Sequence, residues 1–155
     1  MTAAAAAAQS ESPSEATETA WLALGVNIGN RGAALNRMRA SLEREGMRIE
    51  RASSEVLTRP IGAHGLADFH NQVIRVRSRR PLPASEWLRH CQSAERAAGR
   101  LTTYRWGPRR ADIDILLLGA RGEIHVSSDV LVVPHRELGA RPYLTRLLGE
   151  IGGPG

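Results

Sequence analysis

The chain has 155 residues, 42% of them hydrophobic, a length and composition that suit one soluble globular domain with a packed core. No apolar run approaches the ~20 residues that a spanning helix needs, so no membrane role is expected. All 21 basic residues are arginine and the formal charge is +5, a balance open to a phosphate-rich ligand, to nucleic acid or to no specific partner.

Residues 1–20 are rich in Ala, Ser, Thr and Glu with no large apolar side chain, and are expected to form a disordered tail. The tail holds Glu11, Glu15 and Glu18, so residues 21–155, read as a single domain, carry about +8 (5 + 3). No basic n-region with a leucine-rich core marks a signal peptide, and a cytoplasmic location is expected. Trp21–Val26 reads as a short strand, and the turn after it, with Asn30 as cap, leads into a helix. That helix carries Leu35, Met38 and Leu42 on one face and stops at Gly46. Residues 47–57 read as one strand, 58–65 as a loop broken by Pro and Gly, and 68–78 as another strand.

A turn is expected at 79–83, followed by a second helix with Trp87, Leu88, Cys91, Ala94 and Ala98 at helical spacing and an end near Gly99. Residues 100–111 read as a loop and 112–118 as a strand. A turn at 119–122, an edge strand at 123–127 and short helical pieces at 134–138 and 141–148 are expected to complete the pattern. The order is βαββαβ with C-terminal extras, which predicts an α+β, ferredoxin-like antiparallel sheet with helices on one face. Cys91 is the lone cysteine, so an internal disulfide is excluded; its helical setting predicts a small buried residue.

Chemistry concentrates in RWGPRRADIDILLLG, residues 105–119. Asp112 and Asp114 are two apart on a strand, so both point to one face with Cβ atoms roughly 7 Å apart, while Ile113 and Ile115 face the core. Two carboxylates so placed can hold Mg²⁺ with phosphates completing its shell. They can equally pair with Arg109 and Arg110. Arg100, Arg105, Arg109 and Arg110 suit the holding of transferring phosphates or a solvated basic loop, and Trp106 can cover a planar ligand. The Gly25–Gly29 turn lacks the spacing of a P-loop or dinucleotide motif. His135 is compatible with a surface role or a ligand role, and the other histidines lack zinc spacing.

Four blocks together resemble the hydroxymethyldihydropterin pyrophosphokinase family of folate biosynthesis: LALGVNIGNR (22–31), TRPIGAHGLADFHNQV (58–73), RWGPRRADIDILLLG (105–119) and VPHRELGARPYL (133–144). The third block is the most specific. The resemblance implies a ferredoxin-like fold and transfer of the pyrophosphoryl group of ATP to the hydroxymethyl oxygen of 6-hydroxymethyl-7,8-dihydropterin, leaving AMP. It implies two Mg²⁺ ions on Asp112 and Asp114. It places Arg109, Arg100 and Trp106 in the catalytic loop, and His135, Arg141 and Arg109 on ATP.

Phe69 and Tyr143 match two aromatics that sandwich the pterin ring, here in the order Phe then Tyr. Asn71 matches a residue whose amide can read both a donor and an acceptor on the pterin edge. Gly25, Thr58, Pro60 and Ile61 match the remaining pocket lining, through backbone and apolar contacts. The sequence departs from the family at Leu101, Thr102 and Thr103, where relatives often carry further arginines, and at Val26, where many have Ser. The resemblance further implies ATP and hydroxymethyldihydropterin as partners; a monomer that binds no nucleic acid is expected. A basic ferredoxin-like RNA-binding module is the competing class, yet it needs stacking aromatics, and the chain is only 4% aromatic. A member that binds pterin without transferring is the other alternative.

Overall fold

The computed structural model describes residues 15–27, 30–59, 68–99 and 111–154. Among the described residues seven strands and three helices are formed: β1 (Thr17–Val26), α1 (Arg31–Arg44), β2 (Arg48–Ala52), β3 (Val56–Thr58), β4 (Phe69–Leu82), α2 (Ala84–Ala97), β5 (Ala111–Leu118), β6 (Val126–Ser127), β7 (Val132–Val133) and α3 (Pro142–Glu150). The main sheet runs β2-β4-β1-β5, with β3 also pairing β4, and every pairing is antiparallel. Strands β6 and β7 make a separate two-stranded ribbon. The expected α+β ferredoxin-like arrangement is present.

Central β1 reads as an apolar run because both its faces are covered. Leu22, Leu24 and Val26 face a core closed by Leu35, Met38 and Leu42 of α1 and by Trp87, Cys91 and Ala94 of α2. The expected stripe on α1 is buried, and Asn30 Oδ1 caps that helix by accepting from Ala33 N at 3.0 Å. Trp21 and Ala23 face the other way, against Leu144, Leu147 and Leu148 of α3. Helices therefore cover both faces, and the C-terminal extra forms the second layer rather than joining α1 and α2 on one side. At its far end α3 is tied to the β2–β3 connection, where the Glu150 carboxylate accepts from Ser54 N and Ser54 Oγ, each at 2.9 Å. A bulge puts three residues of β5 (Ile115, Leu116, Leu117) opposite two of β1 (Trp21, Leu22), which lets Leu116 and Leu117 both join the α3 cluster.

Several boundaries differ from those expected. Residues 17–20, assigned to the tail, open β1, where Ala20 is fully buried; small residues in a central strand have no alternation to betray them. The strand expected over 47–57 is split at 53–55, where Ser53 Oγ accepts from Val73 N and Ser53 N donates to Val73 O. The turn expected at 79–83 is strand as far as Leu82, which pairs across to Thr17 past a bulge. The edge strand expected at 123–127 is reduced to a Leu118–Ile124 bridge and the short β6. Residues 134–138 form turns instead of helix. No helix among the described residues is long and apolar enough to cross a membrane.

Candidate active site

Register builds the site. Val56, Asn71, Gly25 and Asp112 lie in one row across β3, β4, β1 and β5, and Val73, Ala23 and Asp114 form the next row on the same face. This face is open at that end because α3 packs only further along it. The first turn of α3, with Tyr143, stands as a wall over the opening. The result is a cleft of about 510 Å³ whose lining includes Gly25, Thr58, Phe69, Asn71, Arg141 and Tyr143, with Asp112 and Asp114 at its edge.

A second cleft of about 660 Å³ adjoins it, lined by Leu88 and by residues of the β6–β7 ribbon and the turn after it, including His135 and Glu137. Asp112, Asp114 and Arg141 belong to both clefts. Two aspartates on one face of β5, with Ile113 and Ile115 buried behind them, fulfil the expected strand geometry.

The polar contacts fix several of these groups. His135 Nδ1 accepts from Glu137 N at 3.2 Å, so the neutral ring carries its proton on Nε2, 3.7 Å from Asp114 Oδ1. That carboxylate, standing beside the ring as an acceptor and a negative charge, raises the imidazole above its ordinary pKa against the opposing effect of burial. Arg141 forms an ion pair with Glu137, four residues earlier. The peptide between the two aspartates is held as well, since Ile113 N donates to Glu95 Oε2 of α2 at 2.8 Å. Glu95 thus covers the outer edge of β5.

Asn71 is nearly buried, at 7% exposure, and its amide is committed within the protein. Its Nδ2 donates to Thr58 Oγ1 at 2.7 Å and to Phe69 O at 3.2 Å, with Val56 O at 3.4 Å. Carbonyls can only accept, so the nitrogen must be the atom on that side. The Oδ1 lies on the Gly25 side, where a Cβ added to Gly25 would meet it at 3.0 Å. Phe69 borders the same spot, its Cδ1 3.7 Å from that Cβ position.

Gly25, Thr58, Phe69, Asn71, Asp112, Asp114, His135, Arg141 and Tyr143, all expected from sequence, are thus gathered around two joined clefts. Pro60, Ile61, Arg100, Trp106 and Arg109 lie outside the described residues. Sequence reasoning missed Glu137 and Glu95. The first was detectable as an acidic residue four positions before Arg141; the second pairs with a strand amide, and no spacing rule announces that.

A family model described as 7,8-dihydro-6-hydroxymethylpterin-pyrophosphokinase matches residues 21–153. The 2-amino-4-hydroxy-6-hydroxymethyldihydropteridine pyrophosphokinase of Bacillus subtilis (strain 168) is 34% identical over 133 residues, covering 85% of this chain and 77% of that protein. The protein of the same name from Methylorubrum extorquens is 35% identical over 133 residues, covering 85% of this chain and 81% of the relative. The mitochondrial folate synthesis bifunctional protein of Arabidopsis thaliana is 34% identical over 135 residues, but those make up 23% of its length. With the family model running from the middle of β1 to beyond the last helix, this protein belongs to the 7,8-dihydro-6-hydroxymethylpterin-pyrophosphokinase family.

Proposed function

We propose that the protein transfers the pyrophosphoryl group of ATP to the hydroxymethyl oxygen of 6-hydroxymethyl-7,8-dihydropterin, releasing AMP. One observation carries this reading beyond the family match: a heterocycle-sized cleft and a polar cleft meet at Asp112, Asp114 and Arg141. A bond forms between the pterin oxygen and the β-phosphorus as the bond from that phosphorus to the α–β bridging oxygen breaks. Such a transfer needs in-line positioning and charge neutralisation, and no covalent nucleophile. In this reading Phe69 and Tyr143 stack on the pterin, Asn71 addresses its edge, and Gly25 and Thr58 complete the floor. Arg141 and His135 hold the nucleotide's phosphates, with Glu137 orienting both.

The aspartate pair fits Mg²⁺, a hard cation that takes oxygen ligands and keeps phosphates and waters in its shell. Two Mg²⁺ ions held by Asp112 and Asp114 would neutralise charge on the phosphates during transfer. Arg100, Arg109 and Trp106 are assigned to the covering loop on the strength of the resemblance. The catalytic unit is taken to be a monomer, with no nucleic acid involved.

The test combines ATP, Mg²⁺ and the dihydropterin and follows AMP. Wild type should release AMP, while Asp112→Ala and Asp114→Ala should each lose on the order of a hundredfold or more in rate. AMP release that survives both substitutions would remove the metal assignment. Pterin binding without any AMP would instead establish a member that has lost transfer.

A further inference from the structure

Alternation along β4 gives Phe69 and Asn71 to the ring-sized cleft and turns His70 and Gln72 to the opposite face, toward α1. Further along that rear face Ile74 and Val76 are fully buried in the main core. Behind the cleft residues the core gives way to polar groups. Gln72, at 6% exposure, has both ends of its amide engaged: Nε2 donates to Ser53 O at 2.9 Å, and Oε1 accepts from Arg39 Nη1 of α1. Arg39 also donates to Asn36 Oδ1 and lies 3.9 Å from one oxygen of Glu55, whose other oxygen is 2.8 Å from His70 Nε2. A second arginine of α1, Arg31, donates to Asp68 O at 2.8 Å, just before Phe69. The segment from Asp68 to Gln72 is therefore tied to α1 from behind by hydrogen bonds and charge.

We propose that Arg39 is a positioning residue for the ring-sized cleft: from the rear face of the sheet its guanidinium fixes the β4 segment that presents Phe69 and Asn71, and so sets pterin affinity without touching the pterin. The inference rests on the pterin cleft proposed above and deepens it. Apolar burial is non-directional, whereas a planar guanidinium shared between Gln72 and Glu55 is satisfied in few placements of the strand. Without it Gln72 Oε1 would be left nearly buried and short of a donor, and β4 would have to shift to relieve that cost. A displaced Gln72 carries Asn71 with it. Asp112 and Asp114 stand on β5, separated from β4 by β1, so the phosphate end of the site is spared.

The experiment measures steady-state AMP formation by wild type, Arg39→Met and the double variant Arg39→Met/Gln72→Met over ranges of each substrate, with melting temperatures alongside. Arg39→Met keeps an unbranched apolar stem and removes the guanidinium. It should raise KM for 6-hydroxymethyl-7,8-dihydropterin roughly threefold to tenfold, the scale of one lost hydrogen bond. KM for ATP and kcat at saturating pterin should stay within about twofold of wild type. The double variant replaces both partners with apolar groups, so it should regain melting temperature yet keep the raised pterin KM. A merely structural Arg39 would lower the folded fraction and Vmax with the pterin KM unchanged, and that result would overturn the proposal. Recovery of the wild-type pterin KM in the double variant would overturn it too. Should Arg39→Met fail to fold, Glu55→Gln at the more exposed end of the same network should raise the pterin KM about threefold, and a wild-type KM there would count against the proposal in the same way. Wild type that forms no AMP would refute the parent transfer reading and the inference with it, whereas AMP formation with an unchanged pterin KM in the variants removes the positioning role alone.

Discussion

Substituting Gly25 with alanine adds one methyl group to the floor of the ring-sized cleft. The backbone at Gly25 is not in the left-handed region, so alanine brings no conformational strain there. What it brings is bulk. The new Cβ would lie 3.0 Å from Asn71 Oδ1, some tenths of an ångström inside the ~3.3–3.6 Å usual for carbon against oxygen. Asn71 is poorly able to yield, since its Nδ2 is anchored to Thr58 and Phe69. The methyl would also stand 3.7 Å from the Phe69 ring and occupy the edge of the surface on which the pterin lies.

Overpacking of this kind costs about 1–3 kcal/mol, or roughly fivefold to a hundredfold in pterin affinity. Gly25 does not line the second cleft, so ATP affinity should stay within about twofold of wild type. Calorimetric titration of Gly25→Ala with each ligand separately checks both halves. Pterin affinity equal to wild type would refute the placement of the ring over the Asn71–Gly25–Phe69 floor. Parallel loss of pterin and ATP would show a damaged sheet and refute the claim of a local steric effect.

Phe69→Ala should weaken pterin binding by about 1–3 kcal/mol through lost stacking, again with ATP affinity retained, as read by fluorescence titration. Cys91 is 1% exposed between α2 and the sheet, and burial, followed by the charges of Glu95, Asp114 and Glu45, pushes its thiol well above the ordinary range. The native protein should therefore resist thiol alkylation at pH 8 and react once unfolded, which mass spectrometry with and without denaturant would reveal.

Much of this architecture is legible in the chain. The alternation of Asp112, Ile113, Asp114 and Ile115 states both a face and a strand, because a charged pair and an apolar pair cannot exchange sides without burying carboxylates. Leu35, Met38 and Leu42 declare their helix in the same way. The β4 strand was harder to delimit: Arg79, Arg80 and Pro81 look like a turn, yet the strand continues through them because Leu82 finds Thr17. The second layer was hidden because α3 is short, and its role depends on a partner face of Trp21, Ala23 and Val73 that no local pattern reveals.

At the site, residue types were readable and their commitments were not. The Asn71 side chain is symmetrical on paper between donor and acceptor. Only the convergence of Thr58, Phe69 and Val56 on its nitrogen leaves the oxygen for a ligand. Likewise the family resemblance assigns Arg141 to the nucleotide, and its place at the seam of two clefts emerges only from the fold.

The central claim is that the β-phosphorus of ATP is attacked and that β- and γ-phosphates travel together. Phosphorus NMR of a reaction containing ATP, Mg²⁺ and 6-hydroxymethyl-7,8-dihydropterin follows this directly. The account predicts AMP and a pterin diphosphate ester rising together in equal amounts. ADP with a pterin monophosphate, or ATP left intact while the pterin is bound, would contradict it.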